Sequence, residues 1–359
     1  MNNIYVLTPD FKLDGIIDEY VSNIWRPSYS DVGDFELYLG ATDKAIGLLK
    51  ENRYAVRSSD ISVENGITTY EKVMVIKNIQ LITDIENGDF LCVTGRELKF
   101  LLHQRIVWNQ TTLTGKVEDA IRRLVNENAI VPTDSNRIIP NLALGVSAGL
   151  TDTIEKQVTG AYLDKAISEI CTTYNYGWDI FIVNKTMVFI VYTGTDRSYE
   201  QTERPYVVFS DEFENLYNTD YQLFTEEYAN TTLIGGEGEG LERVYTAVNN
   251  SNSGLNRYET FTDARDISSN KGSENEIDAA TYLKLLVERG RENLAGLSYT
   301  EGFSGEVLSD LAFKYGEDFF IGDTVTVINK YGIKKNVRVL SAIESEDESG
   351  AKLLPQFNI

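Results

Sequence analysis

The stretch Tyr315-Gly-Glu-Asp-Phe-Phe-Ile-Gly-Asp-Thr-Val-Thr-Val-Ile-Asn-Lys-Tyr-Gly-Ile-Lys-Lys-Asn-Val-Arg-Val-Leu340 decides the fold. Val325 and Val327 alternate with Thr324 and Thr326, a period of two that puts the valines on one face of a strand. Lys330-Tyr331-Gly332 supplies turn chemistry, and Val337 and Val339 resume the alternation around Arg338, so the stretch predicts a β-hairpin. Gly322-Asp323 fits a tight turn in which glycine takes positive φ and aspartate accepts from amides two residues on. After an acidic turn the chain ends Leu354-Pro355-Gln356-Phe357. The last strands therefore close a β-domain against a strand laid down much earlier.

Working outward, the first ~110 residues predict short strands at Ile4 to Leu7, Asp10 to Ile16, Phe35 to Leu39, Tyr54 to Ser58, Val73 to Asp84 and Asp89 to Thr94. Glu86-Asn87-Gly88-Asp89 between two of them is the best local hairpin signal. A short helix is expected at Arg96 to Leu102. From Thr114 the period changes: Val117, Ile121, Leu124 and Val125 predict an amphipathic helix with Thr114 as N-cap, and Leu163, Ile167 and Ile170 a second over Ala161 to Tyr174. A hairpin follows, Tyr176 to Val183 and Thr186 to Tyr192. Strands are then expected at Thr231 to Ile234, Glu242 to Val248 and Leu297 to Leu308, with the longest helix at Glu276 to Ala295.

The resulting fold class is α+β, mainly β: two antiparallel β-barrel-like domains with intervening and inserted lobes. The expected division is 1–108 for the first β-domain, 109–215 for an α+β domain, 216–249 and 299–359 for the second β-domain, and 250–298 for an inserted helical lobe.

Hydrophobic residues make up 42% of 359, enough for ordinary cores. No run approaches the ~18 apolar residues of a membrane helix, so no membrane insertion is expected, and the start, which lacks a leader pattern, implies synthesis in the host cytoplasm. A formal charge of −22 argues against specific nucleic-acid binding. Cys92 and Cys171 lie far apart in apolar contexts and read as small core residues. His103 is the one histidine, which excludes a two-histidine zinc site; at the polar exit of an apolar segment it reads as structural. Gly235-Gly-Glu-Gly-Glu-Gly240 follows a strand as a phosphate loop would. However, no Gly-Lys-Ser/Thr succeeds it, and Glu237 and Glu239 would repel phosphate, so it reads as a turn. No catalytic residue, cofactor or metal ligand is assigned.

Gly33-Asp-Phe-Glu-Leu, Gly95-Arg-Glu-Leu-Lys-Phe-Leu-Leu-His-Gln-Arg-Ile, Gly235-Gly-Glu-Gly-Glu-Gly-Leu-Glu-Arg, Arg257-Tyr-Glu with Asp263-Ala-Arg, and Phe320-Ile-Gly-Asp-Thr-Val with Gly332-Ile occur in one order along nearly the whole chain. In these the sequence resembles the baseplate hub or tail-tip proteins of tailed phages and phage-derived particles, the Gp37-like siphophage tail proteins in particular. The resemblance implies a structural virion protein of a phage tail or tailocin, a homotrimer whose two β-domains per subunit build a pseudo-sixfold ring. That ring would adapt a sixfold tail tube to a threefold tip. The tube or distal tail protein would be the partner on one side, and a spike, fibre or lysin on the other. It would leave a channel for DNA or tube passage, for which a negative lumen would prevent sticking. Some members continue into a wall-degrading domain; with Ile359 so close to the end of the hub pattern, none is expected here. Two rival readings stand beside this: a wall-cleaving glycosidase using Glu237 with Glu239 or Asp211 with Glu214, and a carbohydrate-binding module exploiting the 21 tyrosines.

Overall fold

In the computed structural model, which describes residues 2–86, 88–274, 276–298, 300–307 and 313–358, alternation near the N-terminus produces short strands connected by tight turns. These are β1 (Ile4–Leu7), β2 (Leu13–Ile17), β3 (Ser22–Arg26), β4 (Asp34–Gly40), helix α1 (Asp43–Leu48), β5 (Tyr54–Arg57), β6 (Ile61–Glu64), β7 (Ile67–Tyr70), β8 (Met74–Ile82) and β9 (Phe90–Glu97). β8 and β9 pair with Ile82 opposite Phe90; Asn87 of the expected turn lies outside the described residues. The short helix expected at Arg96 to Leu102 forms two residues later and as a 3-10 helix, Leu98–Gln104. Gly95 and Arg96 stay paired with Phe35 and Asp34, and the strand runs on to Glu97 before the helix begins. Cross-strand pairing outweighs local propensity there.

The middle of the chain folds as β10 (Thr111–Lys116), α2 (Val117–Val125), β11 (Leu142–Leu144), β12 (Thr153–Val158), α3 (Leu163–Thr173), β13 (Gly177–Val183) and β14 (Thr186–Tyr192). Thr114 is not an N-cap: it pairs with Glu155 inside β10, and the helix starts three residues later from Lys116. Its apolar stripe, Val117, Ile121, Leu124 and Val125, is fully buried against Leu163, Ile167 and Ile170 of α3 and against Trp178, Ile180 and Phe189 of the β13–β14 hairpin. Fully burying each such aliphatic side chain contributes about 1.5–3 kcal/mol before chain entropy is charged against it.

The remainder comprises β15 (Val208–Ser210), β16 (Leu216–Phe224), β17 (Thr231–Gly235), β18 (Tyr245–Val248), β19 (Glu259–Asp263), α4 (Ala279–Gly296), β20 (Thr300–Val307), β21 (Thr324–Ile328), β22 (Lys334–Asp347) and β23 (Gly350–Asn358). The expected end of β20 at Leu308 lies outside the described residues. β17, β18 and β19 make a small sheet of their own, covered by α4 through Tyr282, Leu285 and Leu286, while the C-terminal strands take β16, β20 and β3 as neighbours. α4 begins where Asp278 accepts hydrogen bonds from the amides of Ala280 and Thr281.

The deciding hairpin is β21–β22, with Val325 opposite Val337. Asn329 stabilises its turn, its side-chain oxygen accepting from the amides of Tyr331 at 2.9 Å and Ile333 at 3.0 Å, while Gly332 takes φ +80°. Asp323 differs from expectation. Its carboxylate accepts from the Phe320 amide three residues back, at 3.1 Å, and from the Thr195 amide and Arg197 Nε, each at 2.7 Å. It thus ties the connection after β14 to the opening of β21, at a point so close that a Cβ on Gly194 would fall 1.8 Å from the Gly322 carbonyl oxygen. The acidic segment before the C-terminus is likewise mostly strand: β22 continues to Asp347, and only Glu348-Ser349 turns into β23.

Candidate assembly surface

The length of β22 shapes the largest sheet among the described residues. On one edge its first residues pair with β21 and its last, Glu344 to Asp347, pair with β3; its other edge carries β23 from Arg338 to Asp347, with a register shift between Val339 and Ser341. One antiparallel run of strands therefore crosses the molecule in the order β16-β20-β23-β22-β3-β4-β9-β8. At its N-terminal end the run curls on through β5, β1 and β2 to enclose Ile4, Val6, Ile17, Leu37 and Val93. At its C-terminal end β21 and β15 fold over Val337, Val339, Phe303 and Phe357.

Because side chains alternate across a strand, one face of this run packs on those two cores and the other is open. The open face presents Ser22, Tyr38, Thr94, Asn78, Gln80, Ser341, Ser345 and Gln356, with Ile24, Ile343 and Leu354 half-buried among them. Its described charges oppose one another: Asp34, Glu36, Asp220 and Asp347 against Arg26, Arg96, Arg338 and Lys352. Arg26 pairs with Asp34 at 3.1 Å. The acidic surplus of the chain is not concentrated here. Cys92 stands on this face, half-buried, and so is not the core residue expected from its neighbours; Cys171 is fully buried.

Both ends of the run leave apolar side chains uncovered. β5 pairs with β8 only at Met74 and Val75, so the outer half of β8 is an edge. There Ile79 and Leu81 lie on the core side, opposite buried Val93 and Leu91, yet are 42% and 53% exposed, with Ile85 fully exposed beyond. At the far end β16 terminates the run, and Leu223, on the core side next to Tyr221, is 52% exposed. Edge strands with uncovered apolar residues are templates for further pairing.

The joint between β22 and β3 holds a buried ionic cluster. Glu344 bonds Lys72 Nζ at 2.8 Å and pairs with Arg57 at 3.0 Å; Arg57 in turn holds Asp60 at 2.6 Å and lies 5.4 Å over the Trp25 ring. Burial alone would raise the Glu344 carboxyl pKa, but Arg57 and Lys72 more than reverse it and hold it below the ordinary value. Two residues on, Glu346 accepts from the Asn2 amide at 3.0 Å and the Tyr20 hydroxyl at 2.8 Å. Against the opposing effect of burial, the Asn2 bond, the N-terminal ammonium and the Tyr20 bond together bring it to about 2.

Other residues singled out in the sequence do not converge. Glu237 is used locally, its carboxylate accepting from the Ser269 amide at 3.1 Å, while Glu239 is exposed. Arg243 fills the glycine turn, donating to the carbonyls of Gly235 at 2.7 Å and Gly236 at 3.0 Å. Asp211 and Glu214 occupy an exposed turn in which the Glu214 amide donates to the Asp211 carbonyl. His103 Nδ1 meets buried Asp164 at 3.0 Å, its ring stacked between Phe100 and Tyr162. Among the described residues no group of three or more His, Cys, Asp or Glu is placed to hold a metal ion, and no helix is long and apolar enough to cross a membrane. Sequence reasoning missed Glu344 and Glu346 because their charges hid a two-residue alternation with Ser345 and Ile343; that alternation was the available signal.

Three solved structures share this architecture over essentially the whole chain. The tail protein from Neisseria meningitidis MC58 superposes with a TM-score of 0.59 at 13% identity, covering 100% of this chain and 96% of its own. The 43 kDa tail protein of prophage MuSo2 from Shewanella oneidensis gives 0.59 at 11% identity, with 99% and 98% covered. Prophage tail protein gp18 from Listeria monocytogenes EGD-e gives 0.50 at 11% identity, with 99% and 94% covered. At such identities the likeness is one of fold. No curated protein matches the sequence. A family model does: residues 3–357 match the Siphovirus ReqiPepy6 Gp37-like protein, and the chain accordingly belongs to that family of phage tail proteins.

Proposed function

We propose that the protein is a non-catalytic baseplate hub subunit that closes into a threefold ring by joining the outer edge of β8 on one copy to β16 on the next. The observation that carries this reading is the continuous run of eight strands with an uncovered apolar edge at each end. Each chain contributes two four-strand units, so three chains supply six roughly equivalent units to a sixfold tail tube while keeping a threefold tip. Eight strands from each of three chains make 24. At about 4.8 Å between strands and a tilt near 40°, they enclose a ring about 45–50 Å across between backbones. The open face then lines a channel that can pass DNA or tube contents. Being polar and balanced in charge, it offers phosphate no basic stripe to bind. The tube or a distal tail protein seats on one rim, and a spike, fibre or lysin on the other.

Light scattering across a concentration series tests the proposal. The wild-type chain is expected at three times 40.4 kDa. Ile79→Lys with Leu81→Lys, or Leu223→Lys, places charge on exposed edges and should return the mass to one chain with unchanged thermal unfolding of the monomer. A wild-type chain that stays monomeric at every concentration, and also with the tail-tube protein added, would falsify the ring.

A further inference from the structure

We infer that the cavity beside Trp108 is a binding site for a neutral saccharide, a role separate from ring assembly. The chain has three tryptophans. Trp25 and Trp178 are fully buried, whereas Trp108 is 63% exposed. An indole is the largest apolar side chain available, and leaving it in water forfeits most of what its burial would contribute.

The exposed ring is nevertheless held in place. The Arg137 guanidinium lies 5.1 Å from its centroid and is itself anchored, Nη2 donating to the Ile106 carbonyl at 2.6 Å and to Asn128 Oδ1 at 3.3 Å. The Trp108 amide donates to the same Asn128 oxygen at 3.2 Å, and the Asn128 side-chain nitrogen donates to the Leu124 carbonyl. Asn128 is 4% exposed and sits in a π-helical turn, Asn126–Ile130, that extends α2; such turns recur at functional positions. A buried amide thus fixes the loop that carries the indole and the arginine that braces it.

The cavity in front has a volume of about 480 Å³, within the range of small-ligand sites. Asn109, Thr111, Glu127, Asp134 and Arg137 line it with hydrogen-bonding groups around the indole, and Val131, 67% exposed, adds apolar surface. A pyranose ring has a C–H face that stacks on an indole and a rim of hydroxyls that donate to carboxylates and amides. Glu127 is paired with Arg123 at 2.7 Å, which leaves Asp134 against Arg137, so the lining carries no net charge to attract an ionic glycan and the ligand class is a neutral mono- or disaccharide unit.

Since Trp108 alone of the three tryptophans meets solvent, intrinsic fluorescence of the full chain reads the site directly. Titration with maltose, lactose and di-N-acetylchitobiose should give, for at least one of them, a saturable blue shift in the millimolar range characteristic of a single stacked ring. By calorimetry Trp108→Ala should weaken that affinity by about tenfold or more, and Trp108→Phe by less, with unchanged thermal unfolding. Absence of a saturable shift with all three sugars would overturn the assignment. So would a shift produced by a tetralysine peptide at lower concentration than any sugar, because the indole would then be a cation–π contact for a protein partner.

Discussion

The four strands β3, β4, β9 and β8 and the four strands β22, β23, β20 and β16 form the same antiparallel frame on either side of one seam, but their cores are filled differently. Behind the first set, Ile4, Val6, Leu37, Ile76 and Val93 are enclosed by strands hydrogen-bonded into the same sheet. The opposite faces of β1, β5 and β8 rest on the core of the α+β region through Leu7, Val56 and Val75. Behind the second set β21 and β15 are likewise hydrogen-bonded into the sheet, but what they enclose is aromatic: Phe209 lies 5.1 Å from Phe319, 5.9 Å from Phe313 and 6.1 Å from Phe357. Backbone pairing closes both units. In the second, a few large aromatic side chains fill the space between the strands, which makes it depend on them.

The largest expected effect probes that dependence. Phe209→Ala removes the ring around which Phe313, Phe319 and Phe357 are arranged, and a buried Phe truncated to Ala costs about 3–5 kcal/mol. Hydrogen exchange followed by mass spectrometry should show β20 and β23 opening well before β4 and β9. Equal acceleration in both halves would mean that the seam fuses the two cores into one unfolding unit, and the contrast drawn above would fail.

The seam itself supplies the next test. Glu344→Ala leaves Arg57 and Lys72 to share the Asp60 carboxylate. Removing one partner of a fully buried pair costs about 3–5 kcal/mol, and the 21% exposure of the Glu344 side chain brings the expectation nearer 2 kcal/mol. The urea midpoint should fall accordingly, with exchange rising first at β3 and the last residues of β22. A midpoint unchanged within error would show that strand pairing alone joins the halves.

Much of each half was legible in the sequence because it is local. The alternation Val325, Val327, Val337, Val339 marks a hairpin whatever it packs on, and Leu163, Ile167 and Ile170 mark a helix stripe. What joins the halves was not legible, because β22 reaches β3 across more than 300 residues and no local pattern specifies which edge a strand will find. The acids of β22 obscured its second half for a related reason. Glu344 and Glu346 face inward only because Arg57, Lys72, Tyr20 and Asn2 meet them there. The misplaced cap at Thr114 has the opposite cause, a sound local signal overridden by pairing with β12. The edges at Ile79, Leu81 and Leu223 look like ordinary strand residues in sequence, and only the observed register places them on a core side while they remain about half exposed.

The smallest effect isolates the hydrogen bonds at Glu346 from the ion pairs at Glu344. The folded-state pKa of Glu346, about 2, lies below its ordinary 4.5, so the unfolded chain binds a proton more readily there than the folded one. Its contribution is therefore complete above about pH 4.5 and is lost as pH falls from 4.5 towards 2. Glu344, also held below its ordinary value, acts in the same direction. Glu346→Gln, which leaves a neutral acceptor for the Asn2 amide and the Tyr20 hydroxyl, should destabilise by about 1 kcal/mol at pH 7. Denaturant midpoints of variant and wild type should then converge as pH approaches 2, with the remaining acid sensitivity carried by Glu344. A gap that stays constant from pH 7 to 2 would mean that Glu346 is held by packing rather than by its charge, leaving Glu344 with Arg57 and Lys72 as the one electrostatic clasp between the halves.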